Sequence, residues 1–305
     1  MKKENIRKLR GSLLMLFVAI IWGLAFVAQS DGMNYIGPFT FNFIRNLLAT
    51  SALLVFLLIR KIIRKSTGVE PVKEDKKTLW VGGILTGTCL FIASSFQQYG
   101  LVYTEPSKAG FINSLYMVFV PIIGLLFHKK TGINVWLSVL LAIVGFYFLC
   151  IKEGLSIDIG EVLVFISAIF FALQIIVIDL FTHNVDGVKM SCIQFGTVVV
   201  LSTIPLIMEK PNMDNIFATM PSLLYVGLIS GCLGFTIQII GQKDVSATVS
   251  SLILSLEAVF SLVFSAIILK EMFDNREMLG AILIFSAVIL SQLPFSIFKK
   301  KYKNS

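Results

Sequence analysis

Apolar residues in this chain fall in long unbroken runs. They show neither the alternation of a half-buried strand nor the single stripe of a surface helix. Ten runs are long enough, at about 1.5 Å of rise per residue, to cross roughly 30 Å of hydrocarbon. They are Gly11–Gln29, Pro38–Ile59, Leu79–Leu101, Ser107–Phe127, Asn134–Ile151, Gly160–Phe181, Val188–Met208, Met220–Gly241, Thr248–Leu269 and Met278–Phe298. Turn formers and charges fill the junctions, as in "SDGMNYIGP", "KEGLSIDIG" and "EKPNMDN". The pattern predicts an all-α transmembrane protein of ten helices.

The runs also repeat. At an offset of 149 residues, "GSLLMLFVAIIWGL" (Gly11–Leu24) lies over "GEVLVFISAIFFAL" (Gly160–Leu173), Trp22 meets Phe171, and Arg45 meets Gln194. At an offset of 141, "FQQYG" (Phe96–Gly100) lies over "IQIIG" (Ile237–Gly241). "NSLYMVF" (Asn113–Phe119) then lies over "LSLEAVF" (Leu254–Phe260), so Gln97 meets Gln238 and Tyr116 meets Glu257. Five spans match five spans in order, with one change of offset in the basic loop after the second span. An odd number of spans per copy forces the copies into opposite orientations, the architecture of secondary carriers with a midplane site. The chain divides accordingly into a short N-terminal segment, 1–10; a first five-helix repeat, 11–151; a second inverted repeat, 160–298; and a basic tail, 299–305.

Composition supports a membrane protein. The 305 residues are 56% hydrophobic and only 14% charged, against about 25% charge in a soluble domain. The net charge of +8 does not point to nucleic acid, because the cations cluster between apolar runs. With the N-terminus cytoplasmic, 20 of the 26 Lys and Arg residues fall on the cytoplasmic side and 5 outside. Both termini are therefore expected inside. The opening "MKKENIRKLR" imitates a secretory leader, but the repeat counts its apolar run as a retained span. Cys89, Cys150, Cys192 and Cys232 lie in or at the ends of apolar runs, as small buried hydrophobes do.

The segments "AIIWGLAFVAQSDGM", "FIRNLLA", "AGFINSLYMVFVPIIGLL", "VFISAIFFALQIIVIDLF", "IQF" and "SLEAVFSLVFSAIILKE" resemble the ten-helix EamA-type exporters of the drug/metabolite transporter superfamily. The resemblance spans about Gly11 to Ser296. It implies a carrier of the bacterial cytoplasmic (inner) membrane that exports a small metabolite. Ala258 departs from the pattern, since many relatives carry Pro after the Glu of this segment.

Polar groups within spans need a reason to be there. Arg45, deep in the second span, is either a structural contact of the first half or a cavity cation for an anionic or zwitterionic group. Glu257 is the deepest carboxylate, and reads as a protonatable coupling site, a partner for a substrate amine, or a packing residue. Its repeat mate Tyr116 would face it across one cavity. Gln97, Gln174, Gln194, Gln238 and Asn113 are candidate polar lining, flanked by Gln98 and Gln242. Trp22 and Phe26 are candidate aromatic walls or plain packing. Gly83-x-x-x-Gly87 and Gly227-x-x-x-Gly231 predict close helix crossings in the third and eighth spans, and Pro121 is the candidate hinge.

No Walker loop, GxSxG, HExxH or CxxC occurs. No enzyme activity, cofactor or metal is expected. The expected partners are a small-molecule substrate and the lipid bilayer; protons as coupling ion and a homodimer are left open. The leading function is an alternating-access exporter of a small, amino-acid-like metabolite. The alternative is a flippase or scaffold for lipids on the same fold.

Overall fold

The structure, a computed structural model, describes residues 2–67, 74–128, 132–150, 158–270 and 274–292. The predicted basic tail 299–305, the end of the tenth run, and Lys73, Lys129, Lys130 and Lys152 lie outside the described residues. Among the described residues every regular element is helical. The elements are α1 (Lys2–Gly32), α2 (Pro38–Thr67), α3 (Lys76–Gly100), α4 (Pro106–Asn113), α5 (Tyr116–Leu126), α6 (Ile133–Cys150), α7 (Ile159–Phe181) and α8 (Gly187–Glu209). After α9 (Met213–Ala218) and α10 (Met220–Leu224) comes a π-helical stretch, Tyr225–Phe235, continued by α11 (Thr236–Gly241). Then follow α12 (Ala247–Leu254), α13 (Leu256–Leu269) and α14 (Asn275–Gln292).

Eight rods are long and apolar enough to cross a membrane: α1, α2, α3, α4–α5, α7, α8, α10–α11 and α12–α13. Two shorter apolar stretches, Ile133–Gly145 of α6 and Met278–Ser291 of α14, stand where the fifth and tenth runs were predicted, and α6 packs against α14. Leu54, Phe56 and Ile62 of α2 are exposed, as expected of side chains that meet acyl chains rather than a protein core.

Most packing runs between the two halves of the chain. α3 lies against α7 and α8, while the π-helical stretch lies against α1 and α2; α2 lies against α8. Close crossing is set by the predicted glycines. A Cβ on Gly87 would lie 2.6 Å from the Gln194 carbonyl of α8, and one on Gly227 would lie 2.9 Å from the Arg45 carbonyl of α2.

The hinge candidate Pro121 does not mark the break in its rod. α5 runs through Pro121 without interruption. The rod breaks instead at Ser114–Leu115, between α4 and α5, and its repeat mate breaks at Ser255. The Ser114 hydroxyl donates to the Gly110 carbonyl at 2.8 Å and the Ser255 hydroxyl to the Leu252 carbonyl at 2.8 Å. Such back-bonding loosens the helical ladder, and the backbone turns tightly there, with Val118 N on Leu115 O at 2.8 Å. The α12–α13 rod therefore breaks without the proline that Ala258 replaces. The two breaks meet: the Ser114 hydroxyl also reaches the Ser255 carbonyl at 3.4 Å.

Candidate functional site

α5 begins at Tyr116, and α13 begins at Leu256 with Glu257 in its first turn. The breaks thus bring the N-terminal ends of two helix segments, α5 and α13, to one place inside the bundle. A cavity lies beside them, with about 40 Å3 of space for water centres. At about 10–15 Å3 per water, it holds about three.

Nine of the ten sequence candidates line this cavity: Trp22, Phe26, Arg45, Gln97, Asn113, Tyr116, Gln174, Gln238 and Glu257. Gln194 is not in the wall. It sits one step behind, accepting from the Gln174 amide at 3.2 Å. The Gln174 and Gln238 amides face each other at 3.4 Å, so three carboxamides from α7, α8 and α11 form one buried cluster.

Glu257 is 1% exposed. The Asn113 amide donates to it at 3.1 Å, and the Ser167 hydroxyl donates to the Asn113 carbonyl oxygen at 3.1 Å. The Ser167 hydroxyl also reaches the Val164 carbonyl at 2.8 Å, and the chain Ser167–Asn113–Glu257 ties α7 to both broken rods. The Tyr116 hydroxyl is within electrostatic reach of Glu257, yet is left without a well-formed hydrogen bond.

Arg45 donates to the Gln29 side chain at 2.6 Å and stands over the Phe41 ring at 5.9 Å. Among the described residues neither Arg45 nor Glu257 is in an ion pair. One cavity therefore holds an unpaired guanidinium and an unpaired carboxyl, with aromatic surface between polar walls. The Trp22 ring packs on Phe235 at 4.6 Å between centroids, and its indole N–H donates to the Ser230 carbonyl at 3.3 Å. The Tyr225 hydroxyl donates back to the Ile21 carbonyl at 2.9 Å, pinning the π-helical stretch to α1.

Several contributors escaped the sequence reading. Gln29 ends the first run and reads as an interfacial residue; only its bond to Arg45 places it at the site. Phe171 was visible as the repeat mate of Trp22. Ser167, Ser230 and Phe235 carry no signal that distinguishes them from packing. Gln98 turns away to the Gln29 carbonyl at 3.3 Å.

A larger cavity, about 370 Å3, is lined by Val120, Ile176, Asp179, His183 and Gln242, among others. Val120 and Gln242 lie four residues, or ~6 Å of helical rise, beyond Tyr116 and Gln238. This vestibule therefore stacks on the central cavity toward the end of the bundle that carries Arg60, Lys189 and Lys243.

The profile of the EamA-like transporter family matches residues 9–151 and 158–293. A protein from Archaeoglobus fulgidus, described as an uncharacterized transporter, is 30% identical over 95% of this chain and 88% of its own length. The Bacillus subtilis uncharacterized transporter YoaV is 24% identical over 92% of this chain and 95% of its own length. A solved crystal structure superposes with a TM-score of 0.71 over 92% of this chain and 96% of that one, at 15% identity. That likeness shows the fold alone. The family and these relatives are transporters rather than enzymes.

Proposed function

The chain belongs to the EamA-like transporter family, and from there we propose that it is a secondary carrier exporting a small amphoteric, amino-acid-like metabolite by alternating access. The observation that carries this reading is the pair Arg45 and Glu257, which line one buried cavity without an opposite charge beside either. A charge buried without a partner is costly in hydrocarbon. A substrate with an anionic group for Arg45 and an ammonium for Glu257 supplies both partners at once. The convergent N-termini of α5 and α13 add to the attraction for the anionic group, and Trp22 with Phe235 offers a face for its side chain.

The inverted-repeat reading is supported by the packing. The pairs α3 with α7 and α1 with the π-helical stretch exchange under the sequence offsets, as do α3 with α8 and α2 with the π-helical stretch. The family matches begin and end within a few residues of the two proposed repeats. The concentration of cations at one end orients that end, with both termini, toward the cytoplasm. On this proposal the membrane is the cytoplasmic one and transport runs outward, as in the EamA-type exporters the sequence resembles. Glu257 is the group placed to carry a coupling proton, because it shares the cavity with the substrate.

The test is uptake of a panel of radiolabelled amino acids into proteoliposomes. Arg45→Gln and Glu257→Gln should each lower uptake of the transported member at least ~30-fold, since losing one partner of a buried charge contact costs about 2–5 kcal/mol. Wild-type uptake by both variants would remove this reading.

A further inference from the structure

We infer that α2 and α8 form the fixed pivot of the transport cycle, tied to each other at both ends at once while the other rods open and close around them. The inference rests on the alternating-access reading above. At one end Glu209, the last residue of α8, accepts from Phe39 N at 2.9 Å, Thr40 N at 2.7 Å and the Thr40 hydroxyl at 2.7 Å. Its carboxylate takes up the orphan donors in the first turn of α2 and meets that helix's positive end. Gly37 makes the approach possible, because a Cβ there would lie 2.5 Å from the Glu209 carboxyl.

At the other end Arg60 of α2 donates to both carboxylate oxygens of Asp186, at 2.6 and 3.3 Å. Asp186 is the N-cap of α8 and accepts from Val188 N at 3.0 Å and Lys189 N at 3.4 Å. Here Glu74, from the segment before α3, joins the clamp by accepting from Lys189. One device is used twice. The 149-residue offset carries Arg60 onto Glu209 and Gly37 onto Asp186. Each end sets a carboxylate on one helix's N-terminus and ties it to the last turns of the other.

Open space adjoins the Arg60–Asp186 clamp without parting it. The 370 Å3 vestibule is walled by α5, the start of α6, α7 and residues 242–249. A second cavity of about 610 Å3 runs past Arg60 and Asp186 themselves. This end is therefore open beside a closed Arg60–Asp186 clamp, and the Glu209 clamp at the opposite end is closed too. A gate at this end would part as the end opens. These clamps hold, so the moving walls are α5, α7 and the 242–249 segment.

The test is distance measurement between spin labels in liposomes, with Cys89, Cys150, Cys192 and Cys232 replaced by Ser. Label pairs are placed at exposed positions that leave every clamp residue intact: Tyr35→Cys with Met208→Cys, Lys61→Cys with Asn184→Cys, and Ile133→Cys with Ser246→Cys. The first two pairs should each give one narrow distance. The third, across the vestibule, should give two populations ~5 Å apart, about the pitch of one helical turn. A split in either clamp pair overturns the pivot, and so does a single distance across the vestibule. The readout needs no substrate. A wrong substrate assignment would appear in the tracer assay with these distances unchanged.

Discussion

Adding a methyl group at Gly234 tests whether the π-helical stretch shapes the cavity wall. A Cβ on Gly234 would lie 2.8 Å from the Trp22 indole nitrogen. Ordinary contact begins near 3.4 Å, so the indole must retreat by about 0.6 Å. Phe235 holds one side of the ring at 4.6 Å, and the 40 Å3 cavity lies on another. The ring therefore moves into the cavity and loses its 3.3 Å bond to the Ser230 carbonyl. Overpacking costs about 1–3 kcal/mol, and a lost buried hydrogen bond about 1 kcal/mol. A loss of roughly 2–4 kcal/mol corresponds to a Tm lower by about 4–16 °C, by the scaling for soluble domains. The assay is thermal melting in detergent, beside tracer uptake in liposomes, where the narrowed cavity should cut uptake. Gly196→Ala is the control, because nothing lies within 4 Å of a Cβ there. A Gly234→Ala protein that melts and transports like Gly196→Ala would refute the argument.

Asn113→Leu removes the amide that faces Glu257, so it should lower Tm by several degrees and displace any pH dependence of uptake along the pH axis; Ser167→Ala should do less of both. Glu209→Ala leaves the first turn of α2 uncapped and should cost about 1–2 kcal/mol, read by the same melts, with Thr40→Val costing less because two backbone bonds survive. Burial alone would raise the Asp186 carboxyl, but the Arg60 guanidinium and the Lys189 and Val188 N–H groups outweigh it and hold the group below its usual 3.8. A depressed carboxyl stabilises above its unfolded value and loses that contribution as pH falls through the folded one. Arg60→Leu should therefore shrink the stability difference between pH 7 and pH 3, and an unchanged difference would count against the clamp. Gly87→Val, which drives a branched side chain into the Gln194 carbonyl and Thr197, should prevent stable folding, seen as aggregation on size-exclusion chromatography.

The rods were legible in the sequence because lipid admits only helices whose backbone groups are satisfied internally, and that demand writes itself as apolar length. The cavity candidates were legible for a related reason: a buried polar side chain is expensive, so Arg45, Glu257 and the glutamines stand out among leucines. Gly83 and Gly87 of α3 and Gly227 of the π-helical stretch also announced close crossings correctly. Packing decided the rest. The breaks fall at Ser114 and Ser255 rather than at Pro121, because a serine hydroxyl competing for helix carbonyls is a local event whose outcome depends on the opposing rod. Gln194 drops behind the wall and Gln29 enters the site through contacts more than ten residues away in sequence. The same holds for the clamps. Gly37, Arg60, Asp186 and Glu209 are ordinary loop and helix-end residues until α2 lies antiparallel to α8, and only that tertiary neighbour turns a carboxylate at a chain junction into a cap for another helix.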